Sequence, residues 1–165
     1  MGFKLFKKSW YAWVICLSFF LTGMAASPPL VGGPAPPFQL ETVNGRVVSL
    51  SDFKGQFVIL NFWATWCAPC TREMPEFQKI HQASNLNVKI IGINMAESKE
   101  KVSGFIHQHG LSFPILLDPS GNVSQDYEIL HLPVTYFISP DGFVRDKIFG
   151  GVSQYAIQSK IQQWH

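Results

Sequence analysis

Asn61-Phe62-Trp63-Ala64-Thr65-Trp66-Cys67-Ala68-Pro69-Cys70 decides the reading of this chain, because it carries the closely spaced pair among only three cysteines. Ahead of it, residues 57–62 form an apolar run that predicts a buried strand. From Cys70 onward the spacing turns helical, with Met74, Phe77 and Ile80 on one face. Cys67 therefore falls at a strand-to-helix junction. There the unpaired N–H groups and the positive end of the helix dipole favour a thiolate over a thiol. Cys70 lies one turn further in, within reach of a disulfide and more shielded. These positions make Cys67 the nucleophile and Cys70 the thiol that resolves a mixed disulfide. Pro69 suits the first helical turn, where its missing N–H costs nothing.

Two other readings compete, a structural disulfide and half of a zinc site. A structural zinc ion takes about four ligands, and the sequence has no second cysteine pair. Cys-x-x-Cys between a buried strand and a helix instead points to dithiol redox chemistry. No metal and no cofactor is called for.

A chain of 165 residues, 47% of them hydrophobic, suffices for one domain with one core. Lys4, Lys7 and Lys8 crowd the N-terminus, and the remaining ten basic residues face 11 acidic ones. The body of the chain has no basic surplus for nucleic acid. The three lysines precede an apolar stretch, so residues 1–26 read as a signal peptide or N-terminal membrane anchor, with the domain exported. A retained anchor is preferred, and Cys16, inside that segment, receives no redox role. Residues 27–37 hold five prolines and two glycines and form a linker. The folded domain is expected over residues 38–165.

Within it, residues 38–42 and 46–50 flank Asn44-Gly45, a hairpin signal. A short helical turn near Ser51 and Asp52 leads to the 57–62 strand. The active-site helix runs to about residue 84 and contains Pro75, where a kink is expected. Residues 88–94 form a parallel strand and 97–109 a helix burying Val102, Phe105 and Ile106. Residues 114–117 form a short strand, and 121–127 a short helix. Residues 134–139 and 143–149 bracket Pro140-Asp141-Gly142 as a second hairpin. Ser153 caps a last helix with an apolar stripe of Tyr155, Ile157, Ile161 and Trp164.

The 62–70 segment resembles the active site of thioredoxin-fold proteins. Residues 33–40, with Gly45, Leu50, Asp52, Phe53, Gly55 and Glu73-Met74-Pro75, narrow the likeness to the membrane-tethered TlpA/ResA/CcmG (DsbE) family. The resemblance covers residues 32–164. It implies an α/β, thioredoxin-like three-layer fold: a mixed central sheet, helices on both faces and an N-terminal β-hairpin. It also implies a thiol:disulfide oxidoreductase of the bacterial cell envelope that reduces specific protein disulfides, in apocytochrome c or copper-site proteins. A membrane electron donor of the DsbD/CcdA type would keep it reduced.

Further site residues follow from the likeness. Leu132-Pro133 matches the place of a cis peptide facing the cysteine pair, where the backbone of Leu132 would pair with substrate. Asn61 stands where thioredoxins have a buried aspartate, and Glu73 is the expected substitute proton acceptor for Cys70, against the alternative of a solvated first-turn carboxylate. Trp63 reads as core and Trp66 as an exposed contact for a partner. His107 and His109, two apart, cannot share a helix face for metal binding. His131 lies near enough to Pro133 to suggest a second function, a copper-binding assembly factor using Cys67, Cys70 and His131.

Overall fold

The apolar 57–62 run becomes an interior strand of a seven-stranded sheet. The protein is described by a computed structural model over residues 31–83 and 87–164; the expected signal or anchor segment and Cys16 lie outside them. The strands are β1 (Gln39–Thr42), β2 (Val47–Ser49), β3 (Phe57–Trp63), β4 (Val88–Met95), β5 (Ile115–Asp118), β6 (Val134–Ile138) and β7 (Val144–Phe149). They lie in the order β2-β1-β5-β4-β3-β6-β7. The helices are α1 (Ala68–Gln82), α2 (Lys99–His109), α3 (Asn122–Asp126) and α4 (Gln154–Trp164).

β3 runs parallel to β4 and antiparallel to β6, so the sheet is mixed, as expected. Every residue of β3 is buried because both faces are covered. Its alternation sorts the core. Phe57, Ile59 and Trp63 meet Met74, Phe77 and Ile80 of α1, Val102 of α2 and Ile157 and Ile161 of α4. Val58, Leu60 and Phe62 face the other way, toward Phe38, Val123, Tyr127 and Tyr136. The result is a three-layer α/β fold, with α1, α2 and α4 on one face and α3 on the other.

The first hairpin closes through Gly45, whose φ of +78° is one that residues with a Cβ rarely adopt. Its β1 also pairs with β5, so β5 is not left as an edge. Part of the Pro/Gly-rich stretch packs on the fold: the Gly32 and Ala35 N–H groups donate to Val144 O and Gly142 O, at 2.7 and 2.9 Å.

Three sequence expectations are corrected. The strand expected at 114–117 is β5, one residue later. α2 begins at Lys99, because the Ser98 hydroxyl accepts from the Lys101 N–H at 3.4 Å and caps the helix there; Glu97 lies outside it. In α4, Ser153 caps as expected, accepting from the Ala156 N–H at 3.2 Å, and Ile157 and Ile161 are buried. Tyr155 is exposed, since two residues before Ile157 is about 200° around the helix. Trp164, in the last turn, is only partly covered, beside Phe57 and Pro140. Pro75 sits inside an unbroken α1, where it removes the N–H that would bond Thr71 O.

Candidate active site

β3 delivers the chain to the start of α1, and Cys67 is the N-cap residue of that helix. Its sulfur accepts from the Cys70 N–H at 3.3 Å, as a capping side chain does. The two cysteines form a disulfide with a Cα–Cα distance of 5.2 Å. Cys67 is 5% exposed and Cys70 wholly buried, the asymmetry expected of an entry sulfur and a shielded one. When the pair is reduced, the same N–H and helix terminus face a Cys67 thiolate and favour it.

Glu73, one turn beyond Cys70, is 3% exposed, so it is a buried carboxyl rather than a solvated first-turn one. Asn61 Nδ2 donates to Oε1 and the Val152 N–H to Oε2, each at 2.8 Å. Burial drives its pKa upward, the bonds from Val152 and Asn61 oppose the rise, and the balance is about 7. Asn61 also donates to Thr135 Oγ1 at 3.1 Å, tying Glu73 across β3 to β6. Glu73 lines a cavity of about 380 Å³ with Pro69, Arg72, Gly151, Val152 and Ser153. No Cβ at Gly151 narrows the approach to its carboxylate. A carboxyl with that pKa exchanges protons near neutrality, which suits a partner for a cysteine thiol.

The Leu132-Pro133 bond is cis. Val134 pairs with Phe62 at the end of β3, so Pro133 comes to the sheet end that carries Cys67. Leu132 packs against the cluster that includes both cysteines. Pro133 O accepts from the Gly150 N–H at 2.9 Å, fixing that loop to the end of β7. Trp63 is buried, whereas Trp66 is 67% exposed directly before Cys67. The histidines stand elsewhere. His109 stacks on Phe105, with ring centroids 4.1 Å apart. His131 is exposed and lines a different cavity of about 550 Å³ with Met95, Glu128, Lys147 and Phe149. Among the described residues no three His, Cys, Asp or Glu side chains cluster as a metal site would require.

One buried group is absent from the sequence reading. Glu97, 8% exposed, accepts from Thr65 N–H at 2.7 Å, Thr65 Oγ1 at 2.6 Å, Asn94 Nδ2 at 2.8 Å and Lys101 Nζ at 2.7 Å. Burial pushes its pKa up, but the bonds from Lys101, Thr65 and Asn94 outweigh it and hold the carboxyl at about 2. Its local sequence, Glu97-Ser98, looks like an ordinary helix start.

A family profile described as the AhpC/TSA family matches residues 31–147. This chain belongs to the AhpC/TSA family. Among its relatives, the thiol-disulfide oxidoreductase ResA of Bacillus subtilis (strain 168) is 39% identical over 127 residues, covering 76% of this chain and 71% of the relative. A solved thiol:disulfide interchange protein DsbE from Chlorobium tepidum superposes with a TM-score of 0.74 at 28% identity, over 82% of this chain and 97% of that one. The exposed lipoprotein thioredoxin Etrx1 of Streptococcus pneumoniae does so with a TM-score of 0.67 at 27% identity, over 78% and 99%. The activity that this family membership brings is thiol–disulfide oxidoreduction of the ResA/DsbE type, with a Cys-x-x-Cys pair.

Among the described residues no helix is long and apolar enough to cross a membrane.

Proposed function

We propose that this oxidoreductase works outside the cytosol as a reductant of particular protein disulfides. The observation that carries the exchange chemistry is the buried Glu73 carboxyl one turn behind a sulfur pair whose outer member caps a helix; the reducing direction rests on the family resemblance and the compartment on residues 1–26. The Cys67 thiolate attacks one sulfur of a client disulfide. The client S–S bond breaks, a Cys67–client disulfide forms, and the departing client thiolate takes a proton from water. Glu73 accepts the Cys70 proton, and the Cys70 thiolate attacks Cys67 Sγ, expelling the second client sulfur as a thiolate. Glu73 then returns the Cys70 proton to that second client thiolate, so the client gains two electrons and two protons and the protein is left as the Cys67–Cys70 disulfide. Trp66 offers the client an apolar contact, and the backbone of Leu132, before Pro133, pairs with its chain.

Export is supported by the lysine-then-apolar order of residues 1–26, read as signal or anchor, with 27–37 as linker and 38–165 as the working domain. An exposed lipoprotein among the structural neighbours agrees with it. In an oxidising compartment such a reductant needs imported electrons, and a membrane donor of the DsbD/CcdA type would supply them. Apocytochrome c and copper-site proteins are the client classes that the family resemblance brings.

The test is to express Cys70→Ala in cells and analyse cysteine-linked adducts. Expected is a reductant-sensitive adduct between Cys67 and exported proteins that carry a cysteine pair, absent from Cys67→Ala/Cys70→Ala. Adducts with cytosolic proteins alone, or none, would overturn the proposal.

A further inference from the structure

We propose that Glu97 is a positioning residue that holds the Thr65-Trp66-Cys67 loop in the conformation that presents Trp66 to the client. This deepens the reading of the cysteine pair as a reductant of polypeptide disulfides and rests on it. Three observations converge. First, each oxygen of the buried Glu97 carboxylate takes two donors, and two of the four donors belong to Thr65, its N–H and its hydroxyl. Such charge-assisted bonds to one rigid fork fix both the position and the orientation of the residue they hold. Thr65 stands two residues before the nucleophile.

Second, the next residue is in an unfavourable place for its type. Trp66 is 67% exposed, while Trp63, one strand residue away from the loop, is fully buried. An indole gains by burial, so a loop free to move would lay Trp66 down on the neighbouring apolar surface. The loop's own backbone tie, Cys67 N–H to Ala64 O at 3.2 Å, closes a turn around Thr65 and Trp66 with a single bond. The Glu97 carboxylate supplies a second hold from the neighbouring strand, two residues beyond the end of β4.

Third, the backbone bends to aim it. Ala96 has φ +54°, a left-handed conformation disfavoured for any residue with a Cβ, and its N–H is anchored to Asp118 O at 3.0 Å. The turn swings Glu97 back toward Thr65 before Ser98 starts α2. Strain maintained next to a saturated buried carboxylate is what a fixed functional loop requires.

The experiment compares two disulfides with the reduced full-length protein: hydroxyethyl disulfide, which has no polypeptide to lie against Trp66, and insulin, which has one. The readout is the ratio of their second-order rate constants, insulin over small disulfide. Glu97→Gln replaces two of the acceptor sites with a donor and is expected to lower this ratio about tenfold, as is Trp66→Ala. The double variant should fall no further than Trp66→Ala alone, because both changes act through one contact. Thr65→Val, which keeps the backbone bond and removes the hydroxyl, should lower the ratio about threefold and keeps the test decisive if Glu97→Gln folds poorly. Equal losses on both disulfides, or losses that multiply in the double variant, would overturn the proposal. A wild-type protein that reduces neither disulfide would instead sink the reductant reading beneath it.

Discussion

Glu73 and Glu97 are both buried carboxyls beside the same cysteine loop, yet one is pushed up to about 7 and the other pulled down to about 2. Burial acts on both in the same direction. What separates them is the company each keeps. Glu73 receives two neutral donors and no cation, so it keeps its proton up to about neutral pH, where it can exchange. Glu97 receives three neutral donors and the Lys101 ammonium, so it stays an anion at any pH the protein meets. On the roles proposed above, the contrast separates a proton carrier from a brace: deeper burial raises one glutamate, and more donors with a lysine lower the other.

The largest expected effect is on stability against pH, where the two residues pull in opposite directions. Between about pH 4.5 and 7 the folded protein holds a proton on Glu73 that the unfolded chain has released, so stability falls as pH rises through that window. Between about pH 4.5 and 2 the unfolded chain gains a proton that Glu97 refuses in the fold, so stability falls as pH drops. The Glu73 limb amounts to about 3 kcal/mol, and the Glu97 limb to less, because solvent around Lys101 screens its ion pair. Urea midpoints measured from pH 2.5 to 8 should show both slopes. Glu97→Gln should shrink the acid limb, leaving the share of Asp141, and Glu73→Gln should shrink the neutral limb, since Asn61, whose Oδ1 is buried without a partner, can turn to accept from the new amide. Retention of both slopes undiminished in either variant would remove the contrast.

A smaller effect tests whether neutral donors are what keep Glu73 available. Asn61→Asp replaces the donor 2.8 Å from Oε1 with a second carboxyl. Two acids at that separation share one proton, and the last proton leaves them only at higher pH. The break in the pH dependence of disulfide reduction, expected near 7 in the wild type, should move up by at least one pH unit, equivalent to about 1.4 kcal/mol. A break that stays near 7 would mean that Glu73 does not govern the proton of Cys70.

How far these two residues were legible in the sequence follows from the distance of their partners. The Cys67–Cys70 pair, β3 and α1 declare themselves by local period and by the Cys-x-x-Cys spacing. Asn44-Gly45 and Pro140-Asp141-Gly142 announce the hairpins in the same way. Glu73 could be singled out because Cys70 lies one helical turn away, although its bond to Val152, 79 positions on, could not. Glu97 carries no such mark. Its partner Thr65 is 32 residues earlier, and the two meet only because β3 and β4 pair with Trp63 opposite Asn94. A glutamate just before a capping serine looks like a helix start, and nothing local says that it turns away. Tyr155 misled for the opposite reason: an aromatic near an apolar stripe resembles core until the helix phase is fixed by Ile157 and Ile161.

The smallest effect asks what aims Glu97, and it sharpens the contrast, since Glu73 sits on a regular helix and needs no bend. Ala96 is exposed, so its side chain has little packing to lose, and its φ of +54° is one that glycine adopts freely. Ala96→Gly removes a backbone cost of about 1–2 kcal/mol while adding back about 0.4–1 kcal/mol of unfolded-chain entropy. The expected net is a gain of about 0.5–1 kcal/mol in unfolding free energy, seen as a higher urea midpoint at pH 7, with the acid limb unchanged. If the acid limb shrinks as well, the carboxylate has loosened, and the rigidity of a left-handed alanine, rather than the hydrogen bonds alone, is what keeps Glu97 on Thr65. If stability falls, the turn at residue 96 is not strained, and the four donors alone account for the brace.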